Sequence, residues 1–273
     1  MQQDMTIIDG FRCYAPALAL GSDDYPIDLY DRLCRLEEGH FWFQARNRII
    51  LRMLRTHLGN QVRPRLLELG CGTGFVLQQL AAENQYQLTG LESHIAGLRY
   101  ARDRLPSVEF IQADARDLPY YAEFDAIGAF DVVEHIAEDD AVLASIHRAL
   151  KPGGIAIVTV PQHKWLWSGT DEQAMHKRRY TRRELSAKLL AADLEILRCT
   201  SFVTVLLPIM YASRLTKRNR QKAIPENDSY ELEISPVTNR ICSGAMRIDE
   251  ALISLGISLP FGGSLLAVAR KKS

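Results

Sequence analysis

Three glycines and a preceding acid give the sequence its most informative short stretch, LLELGCGTG at residues 66–74. Gly70, Gly72 and Gly74 occupy alternate positions directly after an apolar run that contains Glu68. Because glycine lacks a Cβ, such a turn lets backbone N–H groups approach a ligand closely. The spacing lacks the third glycine of the dinucleotide fingerprint G-x-G-x-x-G. On its shape alone the turn suits a nucleotide or a nucleoside, so neighbouring residues must decide.

Acidic residues follow the next two apolar runs. Glu92 ends QLTGLE, where a carboxylate meets ribose hydroxyls in Rossmann-type sites, although a solvated strand-end acid is the alternative. Asp114 follows VEFIQ, where its carboxylate can accept a hydrogen bond from an exocyclic amine. The glycine turn contains no lysine, so a P-loop for phosphates is not favoured.

A sheet must position these residues, because short β-rich runs alternate with longer amphipathic runs from 65 to 160. This alternation predicts a parallel sheet covered by helices on both faces. Pro152 in LKPGG cannot continue a helix, so the helix before the fifth strand ends there. The predicted strands are 65–69, 87–92, 108–112, 124–130 and 154–160, followed by a sixth at 194–200 and a last at 264–272.

The flanking segments are predicted to be mainly helical. Residues 27–58 form two predicted helices near the open end of the sheet, and Thr181 is the expected N-cap of another, with Glu184 as its capping-box partner. Residues 217–235 are polar and are predicted to be an exposed loop. The predicted domains are an N-terminal helical cap at 1–60 and an α/β domain at 61–273, with substrate-side insertions near 161–185 and 202–240.

The chain resembles the class I S-adenosylmethionine-dependent methyltransferases of the small-molecule type. The resemblance runs in order through LLELGCGTG, GLE, QADARDLP, FDAIGAFDVVEHI and LKPGGIAIVTVP, across residues 66–161. It implies a Rossmann-like seven-stranded sheet in the order 3214576 with the last strand antiparallel, and S-adenosylmethionine as cofactor. It also implies cofactor contacts from Glu68, Gly70, Cys71, Gly72, Gly74, Glu92, Ser93, Asp114, Ala115, Phe130 and Asp131.

The charges of these residues agree with that cofactor. S-adenosylmethionine has a sulfonium and an ammonium but no phosphate, so it requires acids and close backbone rather than an anion cradle. An NAD-dependent oxidoreductase of related sheet topology is one alternative, but it would have to explain Asp114 and the C-terminal strand. A non-catalytic cofactor-binding protein is the other, and it would bind the cofactor without turnover.

Three histidines are candidates for the base that removes a proton from a hydroxyl acceptor. His135 follows the fourth strand, where capping or packing of the following helix is its alternative role. His163 and His176 lie in the insertion after the fifth strand. Asp131, Glu134 and His135 stand at i, i+3 and i+4, a mixed set that suits several metals. We nevertheless predict no metal site.

The insertion PQHKWLWSGTDEQAMHKRRYTRREL at 161–185 is the predicted acceptor region, because ligands bind at the carboxyl ends of strands in open α/β sheets. Trp165, Trp167 and Tyr180 are predicted to wall a pocket, while Arg178 and Arg179 are expected to grip a carboxylate or phosphate. Aromatic packing in the core is the alternative. The segment FWFQAR, with Phe41, Trp42, Phe43 and Arg46, is either a lid over the cofactor or simple helix packing.

Composition limits the partners. Lys plus Arg and Asp plus Glu both total 33 in 273 residues, so no global charge favours nucleic acid. Five scattered cysteines and the absence of a signal-like N-terminus predict a cytoplasmic protein. The apolar and then basic segment 202–222 lines an apolar acceptor pocket, contacts a membrane surface to collect a lipid-linked acceptor, or packs in the core. The expected reaction is methylation of a hydroxyl or carboxyl oxygen on a partly apolar metabolite.

Overall fold

The computed structural model describes residues 5–20, 27–220 and 234–272. Within these ranges nine strands form one sheet. The strands are β1 (Thr6–Ile8), β2 (Phe11–Cys13), β3 (Arg65–Leu69), β4 (Gln87–Glu92), β5 (Glu109–Gln112), β6 (Phe124–Phe130), β7 (Leu150–Pro161), β8 (Leu194–Phe202) and β9 (Ser264–Lys271).

The order of the strands is β1-β2-β5-β4-β3-β6-β7-β9-β8. Strands β3 to β7 pair in parallel, while β9 lies antiparallel between β7 and β8. Without β1 and β2, this is the predicted seven-stranded order, so the predicted fold class is confirmed. Because β3, β4, β5 and β6 run the same way, the residues that follow them meet at one edge of the sheet.

The hairpin of β1 and β2 adds two strands that the predicted helical cap at 1–60 did not include. Each has only three residues, too few for an alternation pattern to be recognised. The pairing of Arg12 with Ile111 and of Cys13 with Gln112 adds β2 to the edge of β5. The Gln112 side chain strengthens the junction, donating to the carbonyls of Ala15 and Ser93 at 2.8 Å each.

The helices cover both faces of the sheet. The strands were predicted to be buried on both sides, so each face of the sheet must pack against the apolar faces of helices. One apolar cluster includes Ile50, Leu77 and Leu98, and the opposite one includes Val142 and Leu185. The α-helices are α1 (Pro16–Ala19), α2 (Ile27–Leu36), α3 (Phe41–Leu58), α4 (Phe75–Ala82), α5 (Ile95–Arg104), α6 (Asp139–Ala149), α7 (Gly169–Gln173), α8 (Arg182–Ala191), α9 (Leu207–Arg220) and α10 (Pro236–Ser254).

Most helix predictions are confirmed, with one correction. Helices α2 and α3 occupy 27–58, and the capping box of α8 forms as predicted: Thr181 Oγ1 accepts from Glu184 N at 3.1 Å, and Thr181 N donates back to the Glu184 carboxylate at 2.8 Å. The predicted loop at 217–235 is wrong at its start, because α9 continues through Arg220. Residues 221–233 of that loop lie outside the described residues.

Among the described helices, we find none with the length and apolar character needed to span a membrane.

Candidate cofactor and acceptor site

The glycine turn after β3 adopts the backbone that its sequence predicts. Gly70, Gly72 and Gly74 all have positive φ angles, of +62°, +51° and +77°. A Cβ at Gly70 would stand 2.6 Å from Val132, and one at Gly74 would stand 3.2 Å from Ala101. At Gly72 it would meet nothing within 4 Å, so the side that this residue presents is open space. Gly70 and Gly74 therefore permit close packing, whereas Gly72 keeps room for a ligand.

Glu68 is a buried acid in the cavity wall beside this turn. Its side chain is 3% exposed, and its Oε2 has no hydrogen-bond partner within the described ranges. Burial raises the pKa of Glu68 to about 8, although the positive charge of Arg46 opposes the rise. A buried carboxyl with an unsatisfied oxygen is costly unless a ligand satisfies it. A cationic ligand would do so and would favour the ionised form.

Glu92 at the end of β4 braces the turn. Its Oε2 accepts from the Gly72 amide at 3.1 Å, and its Oε1 accepts from the amide and hydroxyl of Ser93 at 2.7 Å and 2.9 Å. The carboxylate is thus held where two strand ends meet. Ser93 also lines the cavity.

Asp114 follows β5 and lines the cavity with Ala115. Burial works against its ionisation, but hydrogen bonds from Arg116 outweigh that effect and hold the pKa of Asp114 below its usual value. The Arg116 guanidinium contacts both carboxylate oxygens, at 3.0 Å and 2.7 Å. An amine of a ligand would therefore share this carboxylate with Arg116.

Asp131 follows Phe130 at the end of β6, with a positive φ of 58°. Its Oδ2 accepts from Arg46 at 2.7 Å and from the Thr159 hydroxyl at 3.1 Å. Arg46 lies on α3, and its guanidinium also stacks 4.7 Å from the centre of the Trp42 ring. The cap is therefore joined to the site by a charged pair that is largely removed from water.

A second contact between cap and turn involves residues that the sequence analysis did not select. Glu37, just after α2, accepts from the Thr73 hydroxyl at 2.7 Å and pairs with Arg104 at 2.6 Å. Its side chain and that of Thr73 are both buried. Nothing in the local sequence around Glu37 distinguishes it from a surface acid, since its partners are far away in the chain.

The cavity beside the turn has a volume of about 920 Å³. All of the predicted cofactor residues line it except Gly74, which packs behind the turn. The cap contributes Phe41, Trp42, Phe43 and Arg46 to the cavity lining, and a lid role for them stays a prediction. Four apolar residues in and just before α9 also line the cavity and were not predicted residue by residue: Val203, Leu206, Ile209 and Met210.

A polar group, which we call the His-Glu cluster, lies in the acceptor part of the cavity and consists of Glu134, His135 and His176. Their potential ligand atoms all lie within 4.8 Å of one another. His176 Nδ1 lies 2.9 Å from Asp171, and His176 Nε2 lies 3.9 Å from Glu134 Oε1. The two histidine rings meet edge to face with their centres 4.7 Å apart. The cluster thus joins the region after β6 to the insertion after β7.

Burial shifts the pKa values of His135 and Glu134 in opposite directions. Burial, with a smaller effect from His176, lowers the pKa of His135 to about 3, so its imidazole stays neutral and is a weak base. Burial and the nearby Asp131 raise the pKa of Glu134 well above its usual value. His135, the first candidate from sequence, is therefore a poor proton acceptor in this structure, and the role of His176 stays a prediction.

Several predicted acceptor residues lie elsewhere. His163, Trp165, Trp167, Arg178 and Tyr180 do not line the cavity. His163 stacks on Trp165, 4.8 Å away, while Tyr180 is buried and donates to Asp139 at 2.6 Å. Arg178 also pairs with Asp139, at 2.8 Å. The predicted aromatic wall is thus replaced by the apolar start of α9, because Tyr180 is a core residue with a polar anchor.

Arg179 does line the cavity, but it is already paired. Its Nε and Nη2 donate to the two carboxylate oxygens of Asp171 at 2.7 Å and 2.9 Å, and its Nη1 donates to the Gln162 carbonyl at 3.2 Å. Asp171 was not singled out from the sequence. It is fully buried and organises the insertion by holding both Arg179 and His176.

A doubly wound sheet with a glycine turn, strand-end acids and an antiparallel last strand defines a nucleoside-cofactor enzyme fold. Residues 66–154 match the family model described as "Methyltransferase domain". The chain therefore contains a class I S-adenosylmethionine-dependent methyltransferase domain, as predicted, and the cofactor of this class is S-adenosylmethionine.

Individual relatives agree with this assignment. A Mycolicibacterium smegmatis protein named "Probable S-adenosylmethionine-dependent methyltransferase" is 28% identical over 164 residues, covering 59% of this chain and 62% of that protein. The trans-aconitate 2-methyltransferase of an Acidovorax species is 37% identical over 99 residues, covering 36% of this chain and 38% of that protein. These alignments therefore span less than two thirds of either relative.

Among solved structures, the phosphoethanolamine N-methyltransferase 2 of Haemonchus contortus, in complex with S-adenosyl-L-methionine, has a TM-score of 0.55 to this chain at 18% identity. The match covers 82% of this chain and 52% of that one. At this identity the likeness establishes the shared fold.

Proposed function

We propose that the protein transfers a methyl group from S-adenosylmethionine to an oxygen, most suitably a hydroxyl, of a partly apolar small molecule. The observation that carries the proposal is the single cavity that joins the glycine turn to the His-Glu cluster. One end of this cavity matches a cationic nucleoside cofactor, and the other end combines an apolar wall with groups that can act on a hydroxyl.

The cofactor end fits its group by charge and by space. We infer that Glu68 and the open face of Gly72 hold the methionine part, that Glu92 receives the ribose hydroxyls and that Asp114 receives the adenine amine. When bound, the cofactor supplies an electrophilic methyl group on a sulfonium. The tasks of the chain are then to align the acceptor, exclude water and remove a proton.

The acceptor end supports a hydroxyl more than a carboxylate. Glu134 and the two histidines offer groups that accept or transfer a proton, and Arg179 is already bonded to Asp171 and Gln162. Apolar side chains continue from the cavity wall to the surface: Ile209 in the wall is 68% exposed, and outside the cavity Trp165 contacts Tyr211 with ring centres 5.4 Å apart. This apolar rim suits an acceptor with an aliphatic or aromatic part.

A carboxyl acceptor is the second candidate, favoured by the relative named for trans-aconitate.

Further parts of the proposal concern the cellular compartment and the partners of the protein. The five cysteines are free, which suits the cytoplasm. Collection of a lipid-linked acceptor at a membrane surface through 202–222 is supported by the apolar rim, with 221–222 lying outside the described residues. The zero formal net charge still disfavours nucleic acid.

The test is a labelling experiment. The purified protein is incubated with methyl-labelled S-adenosylmethionine and a small-molecule extract of the source cell, and labelled products are identified by mass. Labelling of a hydroxyl or carboxyl oxygen is the expected result. Tight binding of S-adenosylhomocysteine in calorimetry without turnover on any fraction would support a non-catalytic cofactor-binding protein. Binding of a nicotinamide nucleotide instead would support the oxidoreductase and end the proposal.

A further inference from the structure

The His-Glu cluster contains a buried carboxylate that the protein itself does not satisfy. Glu134 is fully buried, and neither of its carboxylate oxygens has a hydrogen-bond partner among the described residues. Leaving such a group without a partner destabilises the folded protein. A buried polar side chain of this kind, directed into a cavity, indicates a missing ligand.

The neighbouring His176 indicates which kind of ligand the unsatisfied Glu134 carboxylate would bind. His176 Nδ1 lies 2.9 Å from the Asp171 carboxylate, which only accepts hydrogen bonds, so Nδ1 carries the proton in the neutral ring. Nε2 then presents a lone pair towards Glu134 Oε1, 3.9 Å away. This distance is too long for a hydrogen bond, so neither atom satisfies the other. A cation between them would bind to both.

The arrangement around the histidine is also the one that metal-binding histidines adopt. Ligating histidines donate their other ring N–H to a carboxylate or a carbonyl, which fixes the tautomer and orients the ring. Asp171 has this relation to His176 and is itself held in place by Arg179. His135 completes the group, with all three ligand atoms within 4.8 Å of one another.

Asp131, the acid that the i, i+3, i+4 sequence pattern would have supplied, is instead bonded to Arg46. The third ligand comes from the insertion, about 40 residues further along the chain. Metal–ligand lengths of about 2.1 Å put two ligands of a tetrahedral ion about 3.4 Å apart. Only small side-chain movements separate the observed 3.9 Å from that spacing.

We propose that Glu134, His135 and His176 bind a divalent transition-metal ion of the zinc class, which receives the acceptor's oxygen in the methyl-transfer site. Two imidazoles and one carboxylate suit zinc and its neighbours in the first row, whereas magnesium and calcium prefer oxygen ligands. Three protein ligands leave a position open for the acceptor.

This inference rests on the proposed function and gives it a mechanism. The ion would lower the pKa of an acceptor hydroxyl held beside it, and the proton of that hydroxyl would pass to bulk water. The oxygen lone pair then attacks the methyl carbon. An oxygen–carbon bond forms as the sulfur–carbon bond breaks, and that electron pair returns to sulfur, leaving a methyl ether and a neutral thioether.

The experiment titrates Co²⁺ into untagged protein that has been treated with a chelator and dialysed, with visible absorption as the readout. We expect one equivalent to produce the bands of a low-symmetry cobalt site, and Zn²⁺ but not Mg²⁺ to displace it. His176→Ala should weaken binding by at least ~100-fold. Asp171→Asn should weaken it by about 10–100-fold, since it removes only the outer support.

The matched control is His147→Ala on α6, a histidine outside the cavity, and it should leave the cobalt spectrum unchanged. Glu134→Gln provides a second ligand variant, and its fold can be checked by circular dichroism. The proposal is overturned if no cobalt bands appear at stoichiometric concentration, or if His176→Ala binds cobalt as tightly as the parent. If the chelator-treated protein still transfers methyl groups, the proposed function holds and the metal proposal fails. If the parent protein binds cobalt but not S-adenosylmethionine, the proposed function fails and the metal site remains.

Discussion

The cofactor end and the acceptor end of the same cavity are built in different ways. The cofactor end uses backbone and strand-end residues within 66–131, all close to the strands that place them. The acceptor end uses side chains from three places: the stretch after β6, the insertion after β7 and the residues in and just before α9. Within the insertion, the buried Asp171 holds His176 and Arg179. The first design depends on local conformation, and the second depends on contacts between distant segments. Variants at the two ends should therefore separate cofactor binding from methyl transfer.

The largest effect is expected at the acceptor end. His176→Ala should lower methyl transfer by about 10²–10⁴-fold, because the acceptor loses the group that handles its proton, directly or through an ion. Calorimetry should show cofactor affinity unchanged within error, and His147→Ala should keep full activity. Normal turnover in His176→Ala would contradict the division between the two ends.

Gly72→Val should disrupt the cofactor end. The new side chain would occupy the open space that the turn presents, so affinity for S-adenosylmethionine should fall by about 100-fold or more in calorimetry. Gly256→Val is the matched control, because Gly256 also has positive φ, +86°, and open surroundings but lies outside the cavity. Both variants should carry a similar strain of about 1–2 kcal/mol. Equal cofactor affinity in the two would refute the assignment of Gly72.

The pH dependence of cofactor binding tests Glu68. Its pKa of about 8 lies above the ordinary value of 4.5, so burial disfavours the ionised form that a cationic cofactor needs. Affinity should fall as pH drops through 8, by up to about tenfold between pH 7 and 6, and level off above pH 8. Glu68→Gln should flatten this profile while the titration of the cofactor's own ammonium remains. An identical slope in both proteins would exclude Glu68.

The same shift has a consequence for stability. The pKa of Glu68 is higher in the folded protein than in the unfolded chain, and at low pH the carboxyl is neutral in both, so its burial lowers the free energy of unfolding little. As pH rises from 4.5 towards 8, the unfolded chain ionises first, and the free energy of unfolding decreases. Thermal unfolding of the cofactor-free protein should therefore show Glu68→Gln gaining stability over the parent towards pH 8. A constant difference at all pH values would contradict the raised pKa.

The smallest effect should come from the capping box at the start of α8. Thr181→Ala removes the hydroxyl that accepts from Glu184 N and should cost about 1 kcal/mol, or roughly 2–4 °C in thermal unfolding. Cofactor affinity should not change, since α8 lies away from the glycine turn. A loss of cofactor binding here would mean that the two ends are more tightly coupled than their contacts indicate.

Sequence patterns predicted those parts of the molecule whose conformation depends on residues close together in the chain. The alternation of runs identified the strands β3 to β9, and the glycine spacing identified the turn, because both depend on residues close in sequence. The β1–β2 hairpin escaped detection since its stability comes from pairing with β5, about 100 residues away. Tyr180 was misplaced because an aromatic residue in an insertion gives no sign of its hydrogen bond to Asp139.

The acceptor end was the least predictable for the same reason. His176 was selected by residue type, but its partners Asp171 and Glu134 become visible only once the chain is folded. Arg179 lines the cavity but is already bonded to Asp171, and Asp131 lines the cavity as predicted while its carboxylate is bonded to Arg46. The sequence identifies the reactive side chains, but their hydrogen-bond and ion-pair partners in the folded protein determine which of them can bind a ligand.

Gln112 connects the front of the chain to the nucleoside end of the cavity. Its side chain holds Ala15 on one side and the carbonyl of Ser93 on the other, and Leu18 lies in the cavity wall. Displacing residues 5–20 would therefore loosen the cavity wall near Ser93 as well as a surface segment. Anyone attaching an affinity label or a fluorescent partner should expect an attachment there to alter cofactor affinity, and should place it after β9 instead.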